Sequence, residues 1–273
     1  MDLELKDKVA IVAGGSQGMS KAFDLTGRVA IVTGGNGGIG LGMATGLAQA
    51  GAALVIAGRN AGKSAAAVKT LEALGAKAVA LEADVTQQPA CRALVEAALD
   101  KFGRLDILVN NAGINIRKQP QDYTPEEWKS VLDTNLTSAF LCSQAAYPAM
   151  LKAGGGKIIN IGSMLSIFGA AFAGPYGASK GGMVQLTKSL ASAWAKDNIQ
   201  VNAVLPGWID TELTRAARRD VAGLHERVLA RTPAGRWGDP ADFAGIAVFL
   251  ASSAADFVTG AAIPVDGGYS SQG

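Results

Sequence analysis

From residue 28 onward the chain repeats one unit: a short apolar run closed by glycine or a polar residue, then about a dozen residues of helical composition. The first run, "RVAIVTG" (28–34), is continuously apolar, as a strand buried on both faces requires. "GIGLGMATGLAQAG" (38–51) follows, opening in glycines and stopping at Gly51, a helix-end signal. The unit recurs as "ALVIAG", "SAAAVKTLEALG", "KAVALEAD", "QPACRALVEAALDKFG" and "LDILVNNAG". A helix around 125–152, a strand "GKIINIGS", a helix over about 176–196 and a strand "IQVNAVLPG" continue it. An irregular helical stretch at 211–231, a helix near 241–251 and a strand "AAIPVDGG" complete it. Such alternation predicts βαβ units and an α/β fold: a single Rossmann-type, doubly wound parallel sheet of about seven strands flanked by helices.

No Ser/Pro linker or charge block interrupts the series, so residues 23–273 read as one catalytic domain. Ahead of it, "VAIVAGGSQGM" (9–19) nearly duplicates "VAIVTGGNGGI" (29–39). The first copy has Ala13 where the second has Thr33, and Ser20 where the second has Gly40; its helix stops after "SKA". A single Rossmann sheet has room for one first strand. Residues 1–22 are therefore expected to be a non-functional extension, dispensable for activity.

Composition narrows the function classes. With 25 Lys+Arg against 23 Asp+Glu, the net charge of +2 gives no electrostatic case for nucleic acid or an anionic membrane as partner. No stretch approaches the ~18 apolar residues of a membrane span, and the start "MDLELKDK" is not a secretion signal. Cys91 and Cys142 match no metal or redox spacing and are expected to be buried free thiols in a reducing, cytoplasmic compartment.

In an open parallel sheet, ligands bind beyond the carboxyl ends of the strands. The first strand ends in "TGGNGGIG", whose Gly34, Asn36, Gly38, Ile39 and Gly40 are placed to turn the chain sharply and bring backbone N–H groups to a pyrophosphate. The second ends in Gly58-Arg59-Asn60 with Lys63 behind it and no acid. An acid there reads the ribose of NAD and a basic residue the extra phosphate of NADP, so NADP(H) is favoured over NAD. Asp84 and Val85 end the third strand and are expected to read adenine, although Asp84 would serve equally as a helix N-cap. Asn110, Asn111, Ala112 and Gly113 end the fourth, where small residues admit a ribose or nicotinamide.

The fifth strand ends at Ser163, and "YGASK" (176–180) opens the next helix. Tyr176 and Lys180 share a helical face. An ammonium beside a phenol favours phenolate and is expected to lower the Tyr176 pKa, while a serine hydroxyl holds a carbonyl oxygen. No metal set is present.

From about residue 24 to the end these motifs resemble the short-chain dehydrogenase/reductase family. They comprise T-G-x-x-x-G-x-G (Thr33, Gly34, Gly38, Gly40), N-N-A-G (Asn110 to Gly113), Ser163, Y-x-x-x-K (Tyr176, Lys180) and P-G followed by a threonine (Pro206, Gly207, Thr211). "LDTNLTSAF" supplies the asparagine of that family, Asn135. The resemblance implies direct hydride transfer between a nicotinamide and a substrate carbon. It implies Tyr176 as general acid and base, Ser163 orienting the substrate oxygen, and Lys180 tuning Tyr176 and bonding the nicotinamide ribose. It also implies a water-mediated proton relay supported by Asn135, carboxamide contacts at Pro206, Gly207 and Thr211, and a homotetramer joined through the helices at 125–152 and 176–196.

"NNAGINIRKQP" and the stretch from Arg231 to Gly268 look like the sugar-acid dehydrogenases of the family, the gluconate 5-dehydrogenase and 2-dehydro-3-deoxygluconate 5-dehydrogenase kind. Arg117 is the candidate carboxylate clamp, with arginines 215, 218, 219, 227, 231 and 236 in or beside the covering segment. Trp208 is a candidate pocket-lining residue, and His225, the only histidine, is read as surface or pocket lining. Two alternatives remain: a 3-oxoacyl-carrier-protein reductase, which would use those arginines as a docking patch, and a catalytically silent dinucleotide-binding regulator.

Overall fold

The computed structural model describes residues 19–272. The copy of the repeated motif at 9–18 lies outside the described residues, as do residues 1–18 altogether; the extension is represented by one helical turn, α1 (Met19–Ala22). The second copy supplies strand β1 (Val29–Thr33) and helix α2 (Gly38–Gln49). The chain continues through β2 (Ala53–Gly58), α3 (Ala61–Glu72), β3 (Ala78–Glu82), α4 (Gln88–Phe102) and β4 (Ile107–Asn110). Helices α5 (Pro125–Leu132) and α6 (Ser138–Lys152) lead to β5 (Gly156–Ile161), and α7 (Gly174–Trp194) leads to β6 (Ile199–Pro206). Helices α8 (Glu212–Asp220), α9 (Leu224–Arg231) and α10 (Ala244–Ala251) precede β7 (Ala262–Val265).

The seven strands form one parallel sheet in the order β3-β2-β1-β4-β5-β6-β7. Every residue of β1 is buried, because the strand is covered on both sides. Ala30 and Val32 pack with Met43, Leu47, Leu71 and Phe243 on one face. Val29 and Ile31 pack with Leu94, Ala98, Ala146 and Leu190 on the other. The winding reverses between β1 and β4, and there the carboxyl ends of two adjacent strands open a crevice.

Helix α2 reaches the sheet by discarding side chains. A Cβ on Gly42 would overlap the Pro240 carbonyl, and one on Gly46 would stand 2.6 Å from the Ala244 carbonyl oxygen. The backbone of α2 therefore lies directly on the segment that opens α10.

Two helices differ from the sequence expectation. The stretch 125–152 is interrupted by a π-helical turn at Asp133–Thr137, which separates α5 from α6. A π turn closes i→i+5 bonds and shifts the apolar phase by about one residue over a single turn, too short a stretch for the sequence pattern to register. The stretch 241–251 begins as a 3-10 turn, Pro240–Phe243, before α10.

Candidate active site

The glycine turn after β1 is shaped by two left-handed residues, Gly34 (φ +62°) and Gly38 (φ +50°), a backbone conformation costly for any residue with a Cβ. Thr33 Oγ1 accepts from the amides of Asn111 (3.0 Å) and Ala112 (3.1 Å), and Asn111 Nδ2 donates to the carbonyls of Thr33 (3.1 Å) and Gly34 (3.0 Å). A Cβ on Gly40 would overlap both Asn111 Nδ2 and the Gly34 carbonyl. Gly40 thus packs the turn against the β4 end rather than lining the crevice. Gly37, the cap of α2, offers no side chain to the first helical amides. The positive end of a twelve-residue helix is left open towards the crevice.

That crevice is a cleft of about 760 Å³. Gly34, Asn36, Gly38, Ile39, Arg59, Asp84 and Val85 line one part; Asn111, Ala112, Gly113, Ser163, Tyr176 and Lys180 line the next; Pro206, Gly207 and Thr211 close it. Asn36 lies over Gly58 and donates to Ser64 Oγ at 3.0 Å, tying the glycine turn to the end of β2. Arg59 and Lys63 share the wall of the cleft beyond β2. Asp84 is not an N-cap: it accepts from the amide and hydroxyl of Thr86 (3.1 and 2.8 Å), while Gln87 occupies the cap of α4. The Thr86 amide and then its hydroxyl hold the Asp84 carboxyl below its ordinary range.

Ser163 follows β5 with extended backbone, and its Oγ accepts from the Leu165 amide at 3.1 Å. Tyr176 and Lys180 lie in the opening turns of α7. Burial pushes the Tyr176 phenol above its usual value, opposed by the Ser163 hydroxyl and then by the Arg117 charge. Lys180 is 3% exposed, and burial pushes its pKa down to about 8. Its Nζ donates to the Ile161 carbonyl at 2.6 Å and stands 5.6 Å from the centre of the Tyr176 ring. The net Tyr176 shift is upward, against the sequence expectation of a lowered value, because burial is its largest cause. One of the three donors of the ammonium goes to that carbonyl, and the groups that oppose the burial of the phenol are Ser163 and then Arg117.

Asn135 sits in the π turn with no exposed surface. Its Oδ1 accepts from the Ile114 amide (2.8 Å), and its Nδ2 donates to the Ile114 carbonyl and to Ser179 Oγ (both 3.0 Å). It pins the loop after β4 to α7, and lies behind the cleft rather than in its lining. A Cβ on Gly113 would stand 3.3 Å from Asn135 Oδ1, a tight contact, and 3.7 Å from Lys180 Nζ.

The segment from Thr211 covers the cleft. Thr211 and Thr214 form a reciprocal cap at the start of α8, and the Thr211 methyl would meet a Cβ on Gly38 at 3.3 Å. Arg117 lies outside the cleft lining, but its Nη2 donates to the Leu213 carbonyl at 3.2 Å and its charge reaches Tyr176. Trp208 also lies outside that lining. It packs edge-on against Trp237 (5.7 Å) and borders a separate cavity of about 220 Å³, so the structure does not bring it to the catalytic residues. His225 stacks on Trp237 at 6.1 Å.

Five of the six clustered arginines have internal partners. Arg215 and Arg218 both bind Asp210, Arg236 binds Asp242, Arg227 donates to the Ala222 carbonyl, and Arg231 lies over the rings of Phe168 and Tyr269. Glu212 and Asp210 line the cleft without any motif to announce them; the partner of Glu212, Lys63, is 149 residues away. Cys91 and Cys142 are buried free thiols, as expected, and lie side by side with their sulfurs 3.3 Å apart. Among the described residues no cluster of three or more His, Cys, Asp or Glu could hold a metal, and no helix is long and apolar enough to cross a membrane.

A glycine turn at the switch point of a parallel sheet, with a buried Tyr/Lys pair and a serine in the same cleft, defines a nicotinamide-dependent oxidoreductase. Comparison with known proteins agrees. The sequence model of a family described as Enoyl-(Acyl carrier protein) reductase matches residues 34–270. The chain is 45% identical over 249 residues to the 2-dehydro-3-deoxy-D-gluconate 5-dehydrogenase of Escherichia coli (strain K12), covering 91% of this chain and 97% of that protein. It is 42% identical over 250 residues to the 5-keto-D-gluconate 5-reductase of the same organism, covering 92% and 98%. The crystal structure of a gluconate 5-dehydrogenase from Burkholderia cenocepacia J2315, in complex with NADP and tartrate, superposes with a TM-score of 0.88 at 41% identity, over 93% of this chain and 99% of that one. The chain belongs to the short-chain dehydrogenase/reductase family.

Proposed function

We propose that this protein is an NADP(H)-dependent enzyme that interconverts a secondary alcohol and a ketone on a sugar acid. The observation that carries the reading is the meeting of Ser163, Tyr176 and Lys180 with the glycine turn and with Arg59 and Lys63 in one cleft. The residues present fit the cofactor. The open N-terminus of α2 would take the pyrophosphate, and Arg59 with Lys63 the phosphate on the adenosine ribose. Asp84 and Val85 would flank adenine; Asn111 to Gly113, Lys180, Pro206, Gly207 and Thr211 would hold the nicotinamide half. When bound, the cofactor supplies or accepts the hydride at the substrate carbon.

Everything else falls to the side chains. Tyr176 gives a proton to the substrate oxygen in reduction and takes it back in oxidation. Burial keeps its phenol protonated at neutral pH, which suits the acid role. Ser163 Oγ orients that oxygen, Lys180 carries the proton link behind Tyr176, and Asn135 fixes the wall through which the link passes. Arg117, at the rim beside Leu213, is the candidate for a bidentate grip on the substrate carboxylate. An acyl-carrier substrate would need a free basic patch, and the internal partners of Arg215, Arg218, Arg227, Arg231 and Arg236 argue against one. Trp128 on α5 and Phe140 on α6, 45% and 43% exposed, support assembly as a homotetramer through those helices and α7. The paired free thiols suit a cytoplasmic setting.

The reading is tested by following NADPH consumption with keto derivatives of gluconate, simple ketones and acyl thioesters. Turnover is expected with the keto acids. Turnover confined to acyl thioesters would overturn the substrate class, and tight NADPH binding without any turnover would point to a regulator instead. Replacing Arg117 by Ala is expected to raise the KM for the keto acid about ten- to hundred-fold with little change in the KM for NADPH.

A further inference from the structure

Lys63 and Glu212 are 149 residues apart in sequence and face each other across the mouth of the cleft. Lys63 is the third residue of α3, its amide held by Asn60 Oδ1 at 2.9 Å. Its Nζ donates to both oxygens of Glu212 at 2.7 Å. Glu212 is the first residue of α8, and Lys63, foremost among its neighbours, holds its carboxyl below the ordinary range, so it is anionic throughout the neutral region. Lys63 shares its wall with Arg59, where the ribose phosphate of NADP would bind. The cleft therefore carries its own anion on one of the two cations that this phosphate needs.

We propose that Glu212 sets cofactor selectivity by competing with the ribose phosphate for Lys63. The inference rests on the NADP(H) reading. A dinucleotide bearing the extra phosphate has to take Lys63 from Glu212 and accept a carboxylate as neighbour. A dinucleotide without it leaves the pair alone. Glu212 thus lowers the preference for the phosphorylated cofactor and keeps the other in use. The pair is 50% and 79% exposed, so its reach is limited: an ion pair in such surroundings changes an equilibrium by no more than about five-fold. The pair is not what holds α8 in place. The reciprocal cap of Thr211 and Thr214, the packing of Thr211 on Gly38, and the Arg117 bond to the Leu213 carbonyl do that independently.

A plain latch would behave differently. If the pair only drew α8 over the cleft, its loss would weaken NADPH and NADH alike, since the two differ only in the phosphate. Dissociation constants for both cofactors, measured by fluorescence titration on the full chain, separate the cases. Wild type is read first: equal constants for NADPH and NADH would overturn the NADP(H) reading itself, whatever Glu212 does. With that preference established, Glu212→Gln is expected to tighten NADPH about two- to five-fold and to move NADH by less than that. In a Lys63→Gln background the same substitution is expected to give no gain. Equal changes for both cofactors, no change for NADPH, or a gain that survives without Lys63 would each overturn the proposal. Glu212 is exposed, so the variant folds and the comparison can be made.

Discussion

Lys180 Nζ stands 2.6 Å from the carbonyl oxygen of Ile161, and this bond, rather than one to the Tyr176 hydroxyl, is how the buried ammonium is satisfied. Burial has pushed its pKa down to about 8, from about 10.4 in an unfolded chain. Between those values the unfolded chain binds more protons than the folded one, so stability rises with pH across that window. Below pH 8 the full cost of burying the charge is present, roughly 3 kcal/mol. Lys180→Met is expected to be inactive yet more stable at pH 7, with its advantage shrinking as pH rises from about 8 towards 10. Chemical denaturation at several pH values checks this; a constant difference would show that Lys180 carries no burial cost.

Tyr176 makes a cleaner catalytic test. Tyr176→Phe keeps the ring and removes the proton, so turnover is expected to fall by at least about 10²–10⁴-fold while NADPH affinity is nearly unchanged. Single-turnover kinetics and fluorescence titration read the two quantities separately. Retained turnover would remove Tyr176 from the acid and base role.

Arg59 is expected to serve only the phosphorylated cofactor. Arg59→Asp should raise the KM for NADPH at least about ten-fold more than that for NADH, since it exchanges an attraction for a repulsion at the phosphate. Steady-state kinetics with each cofactor decides it, and equal effects would place the phosphate elsewhere.

At the opposite end of the sheet, Asp106 ties β1 to β4. It is 3% exposed and accepts from Arg28 Nη1 (2.8 Å), Arg104 Nε and Nη2 (2.8 and 2.6 Å) and the Val29 amide (3.0 Å). Burial raises its pKa, but these four donors outweigh it and the net shift is downward. A lowered carboxyl stabilises the fold above its unfolded value, and that contribution is lost as pH falls through the folded one. Arg28 and Arg104 are 51% and 41% exposed and stay solvated without their partner. Asp106→Ala is therefore expected to cost about 1–3 kcal/mol at pH 7, chiefly by leaving the Val29 amide without its carboxylate, and to flatten the acid limb of the stability curve. Thermal melts from pH 7 to pH 3 would show both effects.

Much of this was legible in the chain. Runs such as "RVAIVTG", "LDILVNNAG" and "GKIINIGS" announce strands because a strand covered on both faces admits little but apolar residues. Thr33, Asn111 and Ser163 fall where those strands end, and Tyr176 and Lys180 in the opening turns of the helix that follows the last of them. What was hidden depends on three-dimensional neighbours. The π turn around Asn135 shifts the hydrophobic spacing over one turn only, Trp208 finds Trp237 instead of the substrate side, and Lys63 meets Glu212 from the far end of the chain. The direction of the Tyr176 shift is set by how deeply the phenol is buried, which i, i+4 spacing does not fix.

The bare backbone contact of Gly42 and Gly46 with Pro240 and Ala244 sets an order of events during synthesis. Strand β1 and helix α2 emerge from the ribosome well before the surface against which α2 must lie, which is made some 200 residues later. A nascent chain halted before residue 240 would hold the glycine turn on a helix with one side uncovered. The cofactor cradle is begun about 200 residues before the segment that backs it, so competence to bind nucleotide waits on residues 240–244.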